Sequence, residues 1–163
     1  MLPIAGLAAD IDRFTGTYSG TAEFTYKGEA EQRDMSVVIS PKDEGFSVRW
    51  TSVTRKLDGR NKEKTYEIDF APSARDHIFG STMKTNVFGK AIPLNPLEGE
   101  PYVWSRIVED TFTVYSLFIN EAGGYEMQEY HRTLTDGGLD LVFRRVGPGL
   151  PEKEIKAFLE RVD

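Results

Sequence analysis

Three strand-like runs joined by two glycine-containing turns, between residues 110 and 146, constrain the fold of this chain more than any other feature. The stretch reads DTFTVYSLFINEAGGYEMQEYHRTLTDGGLDLVFRRV. Its glycine pairs supply the positive φ angles that tight hairpins need, and the runs between them are rich in Tyr, Phe, Val, Thr and Leu. The stretch therefore predicts a meander of three antiparallel strands.

The same alternation of short strands and turns extends back almost to the N-terminus. Earlier strands are predicted over residues 16–26, 32–40, 46–57, 64–70, 77–87 and 102–109. The turns between them are rich in Gly, Pro, Asp and Asn, and strands do not alternate with helices. Because consecutive hairpins leave exposed edges unless the sheet closes, the pattern favours an all-β fold, a single antiparallel up-and-down β-barrel of about nine strands, over a two-sheet sandwich. We expect residues 1–163 to form one domain of this kind.

Apolar spacing predicts a short helix at each end of the chain. The N-terminal helix would reach Phe14, and the C-terminal helix would cover residues 152–162, where Ile155, Phe158, Leu159 and Val162 lie on one side. Residues 88–101 contain three prolines and no clean period. We predict that this long loop covers the mouth of the barrel.

The composition excludes several classes of function. A hydrophobic content of 39%, a charged content of 28% and a net charge of -6 are typical of a soluble globular protein and argue against a nucleic-acid partner. The apolar stretches are too short to span a membrane. The absence of cysteine excludes disulfides, thiolate catalysis and cysteine-ligated metals. The N-terminus lacks the basic region of a secretory signal, so we expect a cytoplasmic protein, or a periplasmic one if a signal has been removed.

The start of the first strand resembles that of the lipocalin-like (calycin) barrels. These families open their first strand with Gly-x-Trp, the aromatic ring closing the barrel floor, and the present chain reads FTGTYSG over residues 14–20, with Tyr18 in place of the tryptophan. The resemblance implies that an arginine from the last strand packs over this ring, and Arg144 and Arg145 are the candidates. It indicates a bacterial family with this barrel rather than a secreted lipocalin.

A barrel of this size can enclose one small ligand, and strand alternation proposes which side chains would contact it. The predicted polar contacts are Arg106, Glu129, His131 and Arg145, and the predicted aromatic walls are Tyr18, Trp50, Trp104, Tyr115 and Phe143. A few polar groups among aromatic side chains are typical of a small-molecule site. The predicted function is therefore the binding of a small apolar or amphipathic ligand. A compound that bears a carboxylate is one candidate for this ligand.

A structural interpretation competes with this one. Charged residues at alternating strand positions commonly form solvated cross-strand pairs on the outer face, which would apply to Arg106 and Glu129. Arg145 would then close the barrel end over Tyr18, and the two tryptophans would be core anchors.

Two other functions remain open at this stage. Glu129 and His131 could form an acid–base site inside the barrel of a small enzyme, although the chain has no catalytic motif. Alternatively, the barrel could be filled by side chains and serve as a structural or protein-interaction module. We predict no cofactor and no metal; haem bound through His131 is the alternative, because haem-binding barrels of the nitrobindin type also use a histidine from a late strand. The oligomeric state is not predicted.

Overall fold

The computed structural model describes residues 10–56 and 58–163. The strands in chain order are β1 (Gly16–Tyr26), β2 (Glu29–Lys42), β3 (Gly45–Arg55), β4 (Asn61–Pro72), β5 (Ile78–Ser81), β6 (Lys84–Thr85), β7 (Ala91–Ile92), β8 (Tyr102–Val108), β9 (Thr111–Ile119), β10 (Tyr125–Thr135), β11 (Gly138–Val146) and β12 (Lys153–Arg161). Helical structure in the described part is limited to residues 10–12 and the 3-10 helix Pro96–Glu98. None of these described helices is long and apolar enough to cross a membrane.

Ten strands form one closed antiparallel barrel in the order β1-β12-β11-β10-β9-β8-β5-β4-β3-β2. Each barrel strand pairs with its neighbours in sequence, except that β5 pairs directly with β8 and β12 closes the barrel on β1. The short strands β6 and β7 lie between these two and form a separate hairpin. The prediction of an up-and-down barrel is confirmed, with ten strands instead of about nine.

The C-terminal segment is a strand, so the predicted C-terminal helix is wrong. β12 pairs with β11 on one side and β1 on the other. Ile155 and Leu159 are buried and also fit the two-residue period of a strand, whereas Phe158 is 47% exposed. Gly138 permits this pairing, since a Cβ there would overlap the carbonyl oxygen of Leu159. Without β12, the strands β1 and β11 would have open edges. Pairing of these edges with β12 stabilises the fold more than the helical spacing of the apolar residues would stabilise a helix.

Aromatic side chains fill the end of the barrel nearest the start of β1. Phe46 packs against Phe70, Phe79 and Phe112 at centroid distances of 5.2, 5.0 and 5.6 Å. Phe14 reaches Phe112 from the segment that precedes β1, at 5.8 Å. All of these rings are buried, so this end of the barrel is a solid floor. The predicted N-terminal helix is described only from residue 10 onwards, and its earlier part lies outside the described residues.

Tyr18 is held in this floor by three polar contacts. Its hydroxyl donates to the Phe14 carbonyl oxygen at 2.8 Å and accepts from Arg161 Nη2 at 2.7 Å. The Arg161 guanidinium lies 4.9 Å from the centre of the Tyr18 ring and donates to the Thr15 carbonyl oxygen at 2.9 Å. Burial raises the pKa of Tyr18, which keeps the hydroxyl protonated as a donor. The arginine over the aromatic ring is therefore Arg161, and the expectation of Arg144 or Arg145 in that place is wrong.

Replacement of Arg161 by alanine is expected to lower the free energy of unfolding by about 2–3 kcal/mol, because it removes two hydrogen bonds and a cation–π contact at the barrel closure. Arg161→Lys should recover part of this loss. Urea unfolding at pH 7 measures the effect. Arg60→Ala, which removes an exposed pair with Asp58, is the control and should change stability by less than about 0.5 kcal/mol. An equal effect of the two alanine variants would contradict this role of Arg161.

Candidate ligand-binding site

A cavity of about 270 Å³ lies inside the barrel, beyond the aromatic floor. Buried side chains from four strands form its apolar wall: Trp50 from β3, Tyr130 from β10, Leu141 and Phe143 from β11, and Leu159 from β12. Tyr130 contacts both Trp50 and Phe143, with ring centroids 5.1 and 4.9 Å apart. The wall is therefore largely aromatic, as in sites that bind small apolar or planar molecules.

One charged side chain, Arg132, is buried at this wall. It is 1% exposed, and its guanidinium lies 5.5 Å from the Trp50 ring centre and 5.3 Å from that of Tyr130. Its Nε and Nη1 atoms have no hydrogen-bond partner among the described residues. Burial lowers the pKa of Arg132 to about 10, so the side chain still carries its charge at pH 7. The two ring faces stabilise the cation, but they do not replace the hydrogen bonds of its donors.

Three further cations converge near the open end of the cavity, and we call Arg33, Arg145 and Lys153 the rim cluster. The Lys153 Nζ lies 4.4 Å from the ring centre of Tyr26, whose hydroxyl accepts from Arg145 Nη2 at 2.7 Å. The Arg33 guanidinium and the Lys153 Nζ lie 5.2 and 5.4 Å from the Phe24 ring centre. Burial and the positive charges of Arg33 and Arg145 lower the pKa of Lys153 to about 8.

The charge of the cavity opposes that of the whole chain. Glu31 is the one carboxylate among the described residues that line it, in a protein whose net charge is -6. The basic residues that line it are Arg33, Lys56, Lys62, Lys64, Arg132, Arg145 and Lys153. None of these seven forms an ion pair with a described carboxylate within 4 Å, whereas eight of the remaining thirteen lysines and arginines do. The cavity is thus a region of unmatched positive charge.

Four of the nine predicted site residues lie inside the barrel. Trp50, Phe143 and Arg145 line the cavity. Tyr18 belongs to the floor, where Arg161 covers its ring, and does not line the cavity.

The other five, which were predicted to share the lumen, lie on the outer face of β8, β9 and β10, so that prediction is wrong for them. They alternate with the buried inward side chains of the same strands. The outward-facing residues are Trp104, Arg106, Tyr115, Glu129 and His131.

These outer side chains form a connected surface group. Tyr115 stacks on Trp104 at 5.0 Å, lies 6.2 Å edge-on from His131, and has the Arg106 guanidinium 5.5 Å from its ring centre. His131 Nε2 is 2.9 Å from Glu129 Oε1. The expected pairing of Glu129 with His131 is present, but outside the barrel. An acid–base site within the lumen, or a haem ligand supplied from His131 to the lumen, does not agree with this placement.

The register of the β10–β11 hairpin explains which residues were missed. Thr135 pairs with Gly138 across a two-residue turn, so Arg132 lies opposite Leu141 and Tyr130 opposite Phe143. Opposite residues share a face, and in this hairpin an even-numbered position always faces an odd-numbered one. The prediction selected odd positions on both strands, which cannot point into the same lumen. Counting the pairs outward from the Asp-Gly turn would have identified Arg132 and Tyr130.

The loop over residues 88–101 was predicted to cover the mouth. None of its residues lines the cavity, whose lining comes from β1 to β4, from Lys56, which follows β3, and from β10 to β12. Across residues 10–56 and 58–163, no group of three His, Asp or Glu side chains is arranged to hold a metal ion.

The similarity of this chain to known proteins is confined to its fold. No protein-family model matches it, and no curated protein sequence matches it. The crystal structure of Rv2717c from M. tuberculosis superposes with a TM-score of 0.54 at 13% identity, over 100% of this chain and 99% of that one. The S-type phycobiliprotein lyase CPES from Guillardia theta gives a TM-score of 0.40 at 7% identity, over 96% and 92% of the two chains. At this identity, the similarity to Rv2717c shows a shared β-barrel fold and nothing about the ligand.

Proposed function

We propose that this protein binds a small, partly apolar carboxylate inside the barrel, with the carboxylate against Arg132. The observation that carries the proposal is the buried guanidinium, whose Nε and Nη1 have no hydrogen-bond partner among the described residues. A buried charge without an ionic partner costs free energy in the folded protein. An anionic ligand would remove this cost by supplying both the charge and the missing acceptors.

The wall around Arg132 supports a ligand that is mainly apolar beyond its acidic group. Trp50, Tyr130 and Phe143 present ring surfaces, and Leu141 and Leu159 present aliphatic surface. A cavity of 270 Å³ is close to the lower end of the usual range for ligand sites, about 300–1,000 Å³. The ligand is therefore a single short chain or one or two rings.

The cavity also favours this proposal over its alternatives. A structural module with a side-chain-filled barrel would leave no space of this size at the centre of the strands. An enzyme that uses Glu129 and His131 would have to bind its substrate on the outer face, because neither residue lines the cavity in the lumen. The cavity at Arg132 and the unmatched charge both lie in the lumen.

Octanoate is expected to bind wild-type protein more tightly than octan-1-ol, which has the same chain without the charge. Arg132→Met should weaken octanoate binding by about tenfold to a hundredfold, the contribution of a hydrogen bond to a charged group, and should leave the weak binding of octan-1-ol nearly unchanged. Isothermal titration calorimetry measures both. Arg106→Met, an arginine on the outer face, is the matched control and should retain wild-type affinity.

The two tryptophans report where the ligand binds. With Trp104→Phe as background, the remaining fluorescence comes from Trp50 in the cavity wall, and octanoate should change it. With Trp50→Phe as background, Trp104 on the outer face should not respond. A response of Trp104 alone, or octanoate affinity that survives Arg132→Met, would refute binding in the lumen at Arg132.

Arg132→Met should also stabilise the protein when no ligand is added. The substitution removes an unpaired buried charge and keeps a side chain of similar length, so the free energy of unfolding is expected to rise by about 1–3 kcal/mol. Urea unfolding at pH 7 provides the measurement, and Arg106→Met should remain within about 0.5 kcal/mol of wild type. Destabilisation by Arg132→Met would mean that the arginine is retained for structural reasons.

A further inference from the structure

We infer that the rim cluster of Arg33, Arg145 and Lys153 is a second anion site that binds a phosphate group, so that the ligand carries a carboxylate at its inner end and a phosphate at its outer end. This inference rests on the proposed function, because it assigns the outer end of the same ligand. The contacts of the cluster, its distance from Arg132 and its charge each support it.

The contacts of the cluster leave its donors available to a ligand. Arg145 uses Nη2 on the Tyr26 hydroxyl, and its buried Nε has no partner among the described residues. Arg33 uses Nε on Thr54 Oγ1 at 3.1 Å. Lys153 rests on the rings of Tyr26 and Phe24 without a described carboxylate within 4 Å. Two guanidinium groups and one ammonium group that converge in this way match the several acceptor oxygens of a phosphate.

The strand register separates this site from Arg132. Arg132 lies opposite Leu141, and Arg145 is four residues further along β11, opposite Lys153 of β12. At about 3.3 Å per residue, the backbone positions of the two sites are roughly 13 Å apart along the strands. Arginine and lysine side chains can shorten this gap, and over this spacing we assign a separate anionic group to each site. A single ligand that uses both needs an anionic group at each end.

The charge of the cluster favours a doubly charged group over a second carboxylate. Burial and repulsion from Arg33 and Arg145 hold the Lys153 pKa at about 8, and Lys62 and Lys64 add further positive charge around the same opening, against the carboxylate of Glu31, the single one among the described lining residues. A phosphate monoester carries close to two negative charges at pH 7, whereas a carboxylate carries one. The phosphate therefore neutralises more of this repulsion.

Three probes separate the two anion sites: octanoate, octyl phosphate and 8-(phosphonooxy)octanoate. The doubly anionic probe should bind at least about tenfold more tightly than either singly functional probe, since it adds a second set of charge-assisted hydrogen bonds. Lys153→Met should weaken octyl phosphate and the doubly anionic probe about tenfold, with octanoate unchanged. Lys156→Met, the same substitution on the same strand outside the cavity, should leave all three affinities at the wild-type value.

The outcomes distinguish failure of this inference from failure of the proposed function. The phosphate site alone would be overturned if Arg132→Met weakens octanoate binding while Lys153→Met leaves octyl phosphate binding unchanged. The proposed function would be overturned if Arg132→Met leaves the octanoate affinity unchanged. Vesicles containing phosphatidic acid test a membrane source of the phosphate: they should not compete with octyl phosphate, because a two-chain lipid exceeds the cavity. Competition by vesicles would overturn a soluble ligand.

A proton should be taken up when a phosphate binds next to Lys153. At pH 8 this lysine is about half protonated in the free protein, and a nearby anion raises its pKa by stabilising the ammonium form. We expect an uptake approaching roughly half a proton per octyl phosphate at pH 8, decreasing towards pH 6.5, where the lysine is already protonated. Calorimetric titration in two buffers of different ionisation enthalpy measures it. An uptake that is unchanged in Lys153→Met would contradict the assignment.

Discussion

The pairing of β12 with both β1 and β11 is the interaction on which the rest of this structure depends. It removes the last two open edges of the sheet and turns a meander into a closed barrel. Arg161, near the end of β12, fixes the closure at the floor through Tyr18 and Thr15. Lys153, at the opposite end of the same strand, contributes to the rim of the cavity. One strand thus connects the structural end of the barrel to its candidate binding end.

The interior of the barrel serves two purposes. Towards the floor, rings pack on rings and the polar groups of Tyr18 and Arg161 are satisfied. In the cavity beyond the floor, Arg132 is buried without an ionic partner, and the rim cations have no described carboxylate within 4 Å. Natural proteins keep unfavourable electrostatics of this kind mainly at functional sites, where a ligand supplies what the protein lacks. These features support our proposal that the lumen binds an anion, in a protein that is acidic as a whole.

The sequence predicted the architecture well because hairpin turns and strand alternation are local signals. β1 was placed at Gly16–Tyr26, as observed, and the three-strand meander was placed correctly. The C-terminal strand was missed because Ile155 and Leu159 satisfy both a helical and an extended period, and only tertiary pairing decides between them. The sequence predicted part of the lining of the cavity. Trp50, Phe143 and Arg145 face the cavity, whereas His131 and Glu129 face outward, because each face of β10 mixes polar and apolar residues and its own pattern does not mark the inner one. Arg132 could not be recognised from composition, since a fully buried arginine is rare.

The central claim is that the buried Arg132 guanidinium receives the acidic group of a ligand within the barrel. A crystal structure of the protein with octanoate tests it most directly. We expect a carboxylate oxygen about 2.7–3.0 Å from a guanidinium nitrogen of Arg132, with the alkyl chain along Trp50, Tyr130 and Phe143. The claim is contradicted if octanoate lies on the outer face at Trp104 and Tyr115, or if its carboxylate sits among the rim cations and leaves Arg132 facing the alkyl chain.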